Sequence, residues 1–564
     1  MTAGRLRSVS LGASLLTAVM LALTLIWATN AESKPKEKPA KNRGTTNIQL
    51  LGVNDFHGNL EPPRTIDGRS VGGAAYLDAY LDKYEAENPK RTIRVHAGDM
   101  VGASPLISSY FHDEPSVYSM NNMDFDVGTL GNHEFDEGGE EMQRLINGGQ
   151  RSDGQQFKTG VDGEPVNTSA PDFPGTDFPY IAANTVYKDS GKTVLPPYQI
   201  VKKNGVNVGF IGVTTLDTPN IVVPDAVAPF DYLDISETVD KYVKELRKKK
   251  VETIVVLAHA GGNQTNATEA TGEILTETEQ MSDAVDVVVA GHSHSELNLK
   301  VGNKLVVEAF SRGTAFDEVG MEVSRETKDV VSASADIVTT YNDAVTPDAE
   351  TAALVAEYKE KITPISERVV GAAAEDVTRD ANAAGESALG NLIADAQRDF
   401  AGADFAFMNP GGIRANIESG PVTFGELFTV QPFDNQVVRM ELTGDEIYNL
   451  LEQQFQMDNN GNPRTRILQV SGLEFSYDSQ RPDGERVTGV TLPNGSPIDR
   501  NATYTIAANS FIATGGDGFS VFTQGRNPQT VGGDLDALEE YIASLQQPFT
   551  APDPATEQRI TKEG

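Results

Sequence analysis

The sequence predicts an α/β protein made of two domains joined by a helix. The chain has 564 residues, which is more than one hydrophobic core usually organises. Continuous apolar runs such as Ile48–Val53 and Val285–Ala290 are typical of strands buried on both faces. Segments with helical spacing of apolar residues, such as Gly73–Tyr84, separate these runs, and this alternation is typical of α/β domains.

Residues 46–345 form the first predicted domain. We predict its strands at Ile48–Val53, Thr92–Val95, Phe125–Leu130, Val206–Val213, Ile254–Ala258 and Val285–Ala290. The segment Gly148–Phe178 is rich in Gly, Asp and Pro, so we expect a surface insertion there.

Few helix breakers interrupt residues 346–369, and we predict a linker helix over this range. Residues 370–545 are predicted to form a second, C-terminal α/β domain. Its expected helices include Leu389–Phe400 and Thr443–Met457, the latter with acidic residues in its first turn. The tail 546–564 is rich in Pro and Thr, and we predict it to be disordered.

The N-terminus predicts export. Arg5 and Arg7 precede the apolar run Leu11–Trp27, and small residues follow, so residues 1–31 are typical of a signal peptide. The run is long enough that an uncleaved membrane anchor is the alternative. Residues 32–45 are rich in Lys and Pro and are predicted to be a flexible tether. The protein is therefore expected to be secreted, periplasmic or associated with the cell surface.

Charge and composition exclude several classes of function. The formal net charge is −35, and a chain this acidic is a poor binder of nucleic-acid polymers. The absence of cysteine excludes disulfides, a thiolate nucleophile and cysteine metal sites. A metal site would need His, Asp, Glu, Asn or Gln ligands, which suit ions such as Zn, Mn, Fe or Ni.

Polar side chains of similar type follow five of the apolar runs. These segments are Asp55-Phe56-His57, Gly98-Asp99, Asn132-His133, His259 and His292-Ser293-His294. They contain five of the seven histidines, and only His96 and His112 lie elsewhere. Any one segment could be a polar turn after a strand, but scattered histidines would not keep following apolar runs. We therefore interpret the five segments as parts of one site.

This set of ligand types points to metal ions and phosphate esters. Asp55 and His57 are two residues apart, as are His292 and His294, so on extended backbone each pair points to one side. If one aspartate is shared, such a set can hold two ions that activate a hydroxide and bind the anion it attacks.

Taken in order, the motifs DxH, GD, GNHE, H and GHxH resemble those of the calcineurin-like metallophosphoesterases. From Asn47 to about Thr523 the chain is similar to bacterial secreted or periplasmic 5′-nucleotidases and UDP-sugar hydrolases. The resemblance implies a four-layer α/β/β/α sandwich, a C-terminal α/β nucleotide-binding domain, and two divalent metal ions such as Zn or Mn. The implied ligands are Asp55, His57, Asp99 and His294 for the first ion, and Asp99, Asn132, His259 and His292 for the second.

The resemblance also implies catalytic residues. His133 would stabilise charge on the phosphoryl oxygens or protonate the leaving group, and Asp136 would orient it and raise its pKa. The alternative for Asp136 is a helix cap. At the position of His294, close bacterial nucleotidases often have Gln. This chain differs from them there and has the residue of the general phosphoesterase pattern.

The second domain would bind the nucleotide. The implied substrate-binding residues are Arg379, Asn409, Arg414, Phe433, Asn435, Phe511 and Asp517. Aromatic rings suit a flat base, a carboxylate suits the ribose diol, and a guanidinium suits phosphate. A second basic residue that the family often has is missing from residues 383–386, which read AAGE.

We therefore predict an exported hydrolase that releases phosphate from nucleoside 5′-monophosphates by attack of a metal-activated hydroxide. The alternatives with the same centre are a UDP-sugar diphosphatase and a 2′,3′-cyclic nucleotide phosphodiesterase, which a substrate panel would separate. A non-catalytic surface protein and a phosphodiesterase or lipid phosphatase unrelated to nucleotides are further alternatives. The expected partner is a small nucleotide, the membrane is a partner only if the N-terminal segment stays uncleaved, and the sequence leaves the oligomeric state open.

Overall fold

The structure is a computed structural model that describes residues 44–151, 172–266, 269–433, 435–457 and 463–564. The predicted signal peptide over 1–31 lies outside these residues, as do most of the predicted tether over 32–45 and most of the predicted insertion over 148–178. In the described ranges, no helix combines the length and the apolar character needed to cross a membrane.

Two six-stranded sheets form the centre of the first domain. The first sheet has the order Val330–Thr339, Ala315–Ser324, Thr45–Val53, Thr92–His96, Val127–Thr129 and Tyr180–Ile181. The second sheet has the order Glu296–Val301, Lys304–Ala309, Val287–Ala290, Thr253–His259, Val206–Thr214 and Tyr198–Lys203. Four neighbouring strands in each sheet run parallel, so their carboxyl ends share one edge.

Side-chain alternation along the strands builds four layers. On Thr45–Val53, Ile48 and Leu50 pack in the core between the two sheets, whereas Leu51 and Val53 pack against helices. The helices over the outer face of the first sheet are Ala74–Glu87, Glu114–Asn122 and Gly138–Asn147, and those over the second are Ile235–Lys248 and Glu273–Gln280. The domain is thus the α/β/β/α sandwich that the resemblance implied.

Smaller elements complete the first domain. They are the paired strands Arg64–Ile66 and Arg69–Val71, Thr185–Tyr187 and Phe230–Tyr232, Asn263–Asn266 and Glu269–Thr271, and the short helices Leu106–Ser109, His133–Phe135, Thr218–Ile221, Pro224–Val227 and Asn342–Ala344.

The helix Ala349–Ser366 connects the two domains. Its N-terminus is capped by the side chain of Asp348, which accepts hydrogen bonds from the backbone N–H groups of Glu350 and Thr351. Tyr358 and Ile362 on this helix are buried in a core that also contains residues of both domains. The linker helix therefore packs against both domains.

The second domain is built on a five-stranded sheet. Its strands lie in the order Gln469–Ser471, Phe405–Met408, Thr503–Asn509, Gln436–Thr443 and Arg526–Gly533. Its helices are Ala388–Ala401, Phe424–Val430, Gly444–Glu452, Ser510–Ala513 and Asp534–Ser544, with shorter turns at Pro410–Gly412, Gly516–Gly518 and Ser520–Gln524. Its other strands are the pairs Val369–Ala373 with Gly420–Thr423 and Phe455–Met457 with Pro463–Thr465, and the three-stranded sheet Val487–Thr491, Glu474–Tyr477 and Ile560–Lys562.

Three sequence predictions differ from this structure, the first being the extended backbone expected at Asp55, His57, His292 and His294, all of which have positive φ. The helix predicted over Thr443–Met457 ends at Glu452, and Phe455–Met457 forms a strand instead. The prediction of a disordered tail over 546–564 is wrong. Ile560–Lys562 pairs with Glu474–Tyr477, and the side chains of Phe549 and Ile560 are buried. These two apolar anchors are far apart in a polar stretch, so the tail shows no periodicity that would indicate order.

Asp317 is a buried carboxyl group without a partner. It lies on the strand Ala315–Ser324 beside Gly52, is fully buried, and neither carboxyl oxygen has a hydrogen-bond partner among the described residues. Burial raises the pKa of Asp317 well above its usual range. The folded protein therefore holds a proton here that the unfolded chain releases above about pH 4.

We expect the Asp317→Asn variant to be more stable than the parent protein at neutral pH. A carboxyl whose pKa is raised on folding costs about 1.4 kcal/mol of stability per pH unit above its unfolded pKa, until the folded pKa is reached. The gain in unfolding free energy should therefore be larger at pH 7 than at pH 5, as measured by urea denaturation. Asp336→Asn, at an exposed position on Val330–Thr339, is the control. A gain independent of pH would contradict this account.

Candidate metal and nucleotide site

The predicted metal-ligating side chains meet where the carboxyl ends of the two sheets face each other. The first sheet contributes Asp55, His57, Asp99 and Asn132 from the loops after its parallel strands, and the second contributes His259, His292 and His294. Among the described residues, the histidine and aspartate ligand atoms form overlapping groups, within each of which all atoms lie within 4.8 Å of one another, and His133 joins one group. Side chains distant in sequence thus surround one small volume.

One cluster joins Asp55, His57 and His294. The Nε2 atom of His294 lies 3.2 Å from Oδ1 of Asp55 and 3.1 Å from Nε2 of His57. Two imidazole nitrogens that face each other at this distance beside a carboxylate are well placed to share a cation.

A second cluster is centred on Asp99. Its Oδ2 atom lies 3.0 Å from Nε2 of His259 and 3.9 Å from Nε2 of His57, so this carboxylate contacts both clusters. The Oδ1 atom of Asn132 lies 3.2 Å from the same nitrogen of His259. His292 completes the group with Asp99 and His259.

The imidazoles are oriented by backbone carbonyls. The Nδ1 atoms of His57 and His259 contact the carbonyl oxygens of Gly102 and Ala97 at 2.8 and 2.9 Å. In a neutral ring this contact favours the tautomer with hydrogen on Nδ1, which directs the Nε2 lone pair toward the centre.

Electrostatics favour the metal-binding protonation state of Asp55, His57 and His292, whereas the Asp99 carboxylate keeps His259 protonated. Burial lowers the pKa of His57 to about 3 and that of His292 to about 4, so both are neutral. Burial opposes ionisation of Asp55, but the hydrogen bond with His294 and the nearby histidines lower its pKa to about 2. Burial also lowers the pKa of His259, yet the Asp99 carboxylate outweighs it and raises that pKa to about 10. Binding of a divalent cation to His259 and Asp99 would release the proton that this imidazole carries. The donor set therefore fits divalent metal ions.

The loops that carry these ligands are conformationally strained. Residues with positive φ include Asp55, His57, Asp99, His292 and His294, with values from 49° to 79°. A Cβ atom on Gly131 would lie 2.1 Å from Oδ1 of Asp99, so only glycine fits at that position. The backbone is shaped to bring these side chains together.

Glu134 is a structural member of the site that sequence reasoning missed. Its buried carboxylate accepts hydrogen bonds from the backbone N–H groups of Asp99, Met100 and Gly131, at 2.5 to 3.0 Å. It therefore ties the loop carrying Asp99 to the loop carrying Asn132. The sequence signal for this role was the position of Glu134 in the GNHE motif, directly after two residues that were predicted to belong to the site.

The Glu134→Gln variant should bind divalent metal more weakly by about 10- to 100-fold, because an amide cannot accept all of these hydrogen bonds and the two loops loosen. Titration calorimetry with Mn²⁺ on chelator-treated protein measures this affinity. Glu140→Gln changes an exposed position on the next helix and should bind as the parent protein does. Equal affinity in the two variants would refute the positioning role of Glu134.

His133 and Asp136 form a pair beside the metal-ligating groups. The Nδ1 atom of His133 lies 2.7 Å from Oδ2 of Asp136. Burial lowers the pKa of His133, but the carboxylates of Asp136 and Asp99 outweigh it and raise that pKa to about 9. Asp136 does not cap the following helix, whose N-cap residue is Glu137, but it is the C-cap residue of the short helix His133–Phe135.

A cavity of about 450 Å³ extends from the metal-ligating groups to the second domain. Its lining residues predicted from sequence are Asp99, Asn132, His133, Asp136, His292, His294, Asn409, Arg414, Phe433, Asn435, Phe511 and Asp517. Volumes of a few hundred Å³ are typical of small-molecule sites. Asp55, His57 and His259 lie deeper and do not line it, and neither does Arg379, whose Nη1 donates to the carbonyl of Ile413 at 2.7 Å.

The carboxylate of Asp517 is held in place at the second-domain end of the cavity. It accepts a hydrogen bond from Nδ2 of Asn409 at 2.8 Å and contacts Nε of Arg466 at 3.3 Å. Arg466 also lines the cavity, and so do Arg464 and Asp217, whose side chains form a 3.2 Å ion pair between the two domains. Sequence reasoning missed these three residues, since nothing in their local pattern separates them from surface charges.

Aromatic rings border the same cavity. Phe433 is nearly parallel to the His133 ring, with centroids 6.2 Å apart, and the Arg414 guanidinium lies 5.6 Å from the Phe433 centroid. Phe511 is positioned by Asn435, whose Oδ1 accepts a hydrogen bond from the Phe511 backbone N–H at 3.2 Å. The Asn435 side chain lines the cavity, and its amide nitrogen forms no hydrogen bond with another described residue.

The chain is similar to known proteins along most of its length. Residues 48–296 match the calcineurin-like phosphoesterase family, and residues 369–524 match the 5′-nucleotidase C-terminal domain. The cell wall protein Lmo0130 of Listeria monocytogenes is 37% identical over 541 residues, which cover 88% of this chain and 67% of that protein. The endonuclease YhcR of Bacillus subtilis is 36% identical over 516 residues, but this chain spans only 40% of its length.

Among solved structures, a 5′-nucleotidase precursor from Thermus thermophilus is 29% identical, with a TM-score of 0.73 over 92% of this chain and 99% of that one. The chain therefore belongs to the calcineurin-like phosphoesterases that carry a 5′-nucleotidase C-terminal domain.

Proposed function

We propose that this protein is an exported hydrolase that releases phosphate from nucleoside 5′-monophosphates. The proposal is carried by one observation, which is that both parts of the site share a cavity. Metal-ligating groups form one end of its wall, and aromatic rings and the Asp517 carboxylate form the other. A nucleotide has the same order of parts, with phosphate, ribose and base along one molecule. Metal chemistry and base recognition can therefore act on one substrate.

Two divalent ions are assigned to this centre. The groups for the first ion are Asp55, His57, Asp99 and His294, and those for the second are Asp99, Asn132, His259 and His292. When bound, such ions stabilise charge on the phosphoryl oxygens and lower the pKa of an attacking water.

His133 supplies a proton donor beside these groups. Its Nδ1 is engaged by Asp136, so Nε2–H is the atom that can donate to a phosphoryl oxygen or to the leaving oxygen. Because its pKa is raised, the imidazole is protonated at neutral pH.

The second domain positions the nucleoside. Phe433 and Phe511 offer aromatic faces for the base, and the amide nitrogen of Asn435 can donate to a base edge. The Asp517 carboxylate, held by Asn409, accepts from the ribose hydroxyls. Arg414 lines the cavity, and Arg379 lies beyond its wall. The positive charges of these two arginines attract the phosphate.

Export is supported by the signal-like N-terminal residues 1–31 and by the names of relatives that include a cell wall protein and a precursor. We propose that the mature protein is secreted or held at the cell surface.

Purified protein supplied with AMP and Mn²⁺ or Zn²⁺ should release phosphate, and EDTA should abolish the release. Phe511→Ala should lower kcat/KM for AMP by about 5- to 150-fold, since base stacking contributes about 1–3 kcal/mol. The same variant should hydrolyse p-nitrophenyl phosphate, which has no nucleobase, nearly as well as the parent. Chelator-insensitive release, or equal loss on both substrates, would overturn the proposal.

Asp136→Asn should shift the alkaline limb of the pH profile of kcat/KM toward lower pH. Removal of the Asp136 carboxylate removes a cause of the raised pKa of His133, so the imidazole loses its proton at lower pH. Bound dications also lower that pKa, so the measured quantity is the difference between variant and parent, expected to be about one pH unit or more. An unshifted limb would exclude His133 as the proton donor.

A further inference from the structure

Ser293 lies between two histidines that the proposed centre divides between its two ions. His292 is assigned to the second ion and His294 to the first, so the backbone at Ser293 sets where the two imidazoles lie relative to each other. The Ser293 hydroxyl oxygen lies 2.7 Å from the carbonyl oxygen of Gly262 and 2.7 Å from Oε2 of Glu308. The loop that carries both histidines is therefore held by contacts outside the ligand set.

Glu308 holds this loop at two points. Its Oε2 atom accepts a hydrogen bond from the Ser293 hydroxyl, and its Oε1 atom accepts one from the backbone N–H of Ser295 at 3.2 Å. Glu308 is fully buried on the strand Lys304–Ala309. This strand pairs with Val287–Ala290, the strand from which the loop emerges. The carboxyl group thus connects one strand of the sheet to the loop that follows its neighbour.

The same hydrogen bonds include the loop of a third histidine. Gly262 follows His259 by three residues, and its backbone N–H donates to Oγ of Ser293 at 3.0 Å. The carbonyl oxygen of Gly262 accepts a hydrogen bond from Oγ of Ser295 at 2.5 Å. A Cβ atom on Gly261 would lie 2.8 Å from Cβ of Ser293, so only glycine allows this close approach. The loops of three predicted metal ligands are therefore joined to each other.

The residues directly after Glu308 also contact the loop of the first sheet. The Nδ2 atom of Asn54 donates to the carbonyl oxygen of Phe310 and to Oδ2 of Asp55, both at 2.7 Å. The Oδ1 atom of Asn54 accepts a hydrogen bond from the backbone N–H of Ala309 at 3.0 Å. The end of this strand therefore contacts ligand-bearing loops of both sheets, although it supplies no ligand itself.

A carboxyl group at this position is costly. Val306, two residues earlier on the same face of the strand, packs in an apolar core. Burial, together with the negative charge of Asp55, raises the pKa of Glu308 well above its usual range. An apolar side chain would avoid this cost but would leave the Ser293 hydroxyl and the Ser295 N–H without these hydrogen bonds. The hydrogen bonds to the loop therefore account for a carboxyl group in an apolar core.

We propose that Glu308 is a positioning residue that sets the placement of His292 and His294, and with it the arrangement of the two metal ions. The inference rests on the proposed function, because it requires that these imidazoles bind metal. Glu308 acts through Ser293 and the loop backbone. It complements Glu134, which ties together ligand loops of the first sheet, so each sheet has a buried carboxyl group that orients its ligands.

The first experiment measures Mn²⁺ binding to chelator-treated protein by titration calorimetry. Glu308→Met keeps the length of the side chain and removes its hydrogen bonds, whereas the amide of Glu308→Gln can still accept from the Ser295 N–H and donate to the Ser293 hydroxyl oxygen. Glu308→Met should bind Mn²⁺ about 10-fold more weakly or worse, and Glu308→Gln should lose no more than about threefold. Parent-like affinity in Glu308→Met would overturn the proposal.

Asp286→Leu is the matched control for the loss of a buried carboxyl group. Asp286 is also buried and accepts a hydrogen bond from the backbone N–H of Ile254 at 2.9 Å, but it lies at the opposite, amino ends of the strands. This variant should bind Mn²⁺ as the parent does, whatever its melting temperature. If it loses as much affinity as Glu308→Met, the effect is one of general stability and the positioning role is refuted.

Electron paramagnetic resonance then reports on the arrangement of the ions. Two Mn²⁺ ions that share the Asp99 carboxylate couple magnetically, and the coupling depends on their separation. With two equivalents of Mn²⁺, the parent, Glu308→Gln and Asp286→Leu should give one common coupled spectrum, and Glu308→Met should differ from it. A merely destabilised fold would lower the melting temperature without changing this spectrum, so an unchanged spectrum in Glu308→Met would contradict the inference.

Hydrogen exchange in EDTA tests the hold on the loop without metal. Peptides that cover residues 292–295 should exchange about fivefold faster or more in Glu308→Met than in the parent, and peptides within 253–258 should be unchanged. A parent protein that neither binds Mn²⁺ nor releases phosphate from AMP overturns the proposed function and this inference together. A parent that does both, with a Glu308→Met variant that binds Mn²⁺ and exchanges as the parent does, overturns the positioning role alone.

Discussion

The Asp99 carboxylate is the contact on which the site depends. Its Oδ2 faces His259 of the second sheet and His57 of the first, while its Oδ1 accepts a hydrogen bond from the backbone N–H of His133. Gly131 leaves room for this arrangement because any side chain there would collide with the carboxylate. The ligand geometry is therefore set by how the two sheets pack, and the apolar core between them is as much part of the site as the polar loops.

The strand ends could be predicted because parallel strands present their carboxyl ends at one edge, which brings Asp55 and Asp99 of the first sheet together. His259 of the second sheet meets them because the two sheets pack face to face. Contacts made by isolated charged residues could not be predicted from the sequence. Glu134 acts through backbone N–H groups, and Arg466 meets Asp517 from a distant hairpin, so neither has a periodic signal. The order of the C-terminal tail depends on pairing with a strand more than eighty residues earlier, which local composition does not report.

Charge is distributed in this molecule with a clear division of roles. The whole chain has a net charge of −35, and the ligand loops concentrate carboxylates whose ionisation is favoured by neighbouring imidazoles. Positive metal ions and arginines can then create a local field for an anionic substrate within an acidic protein.

The ion pair between Arg464 and Asp217 has a mechanical consequence. It bridges the two domains at the wall of the cavity, and both side chains are partly exposed to solvent. Any separation of the domains must break this contact, and dissolved salt weakens an exposed pair of this kind. The ionic strength of the surroundings thus enters the free energy of separating the two domains.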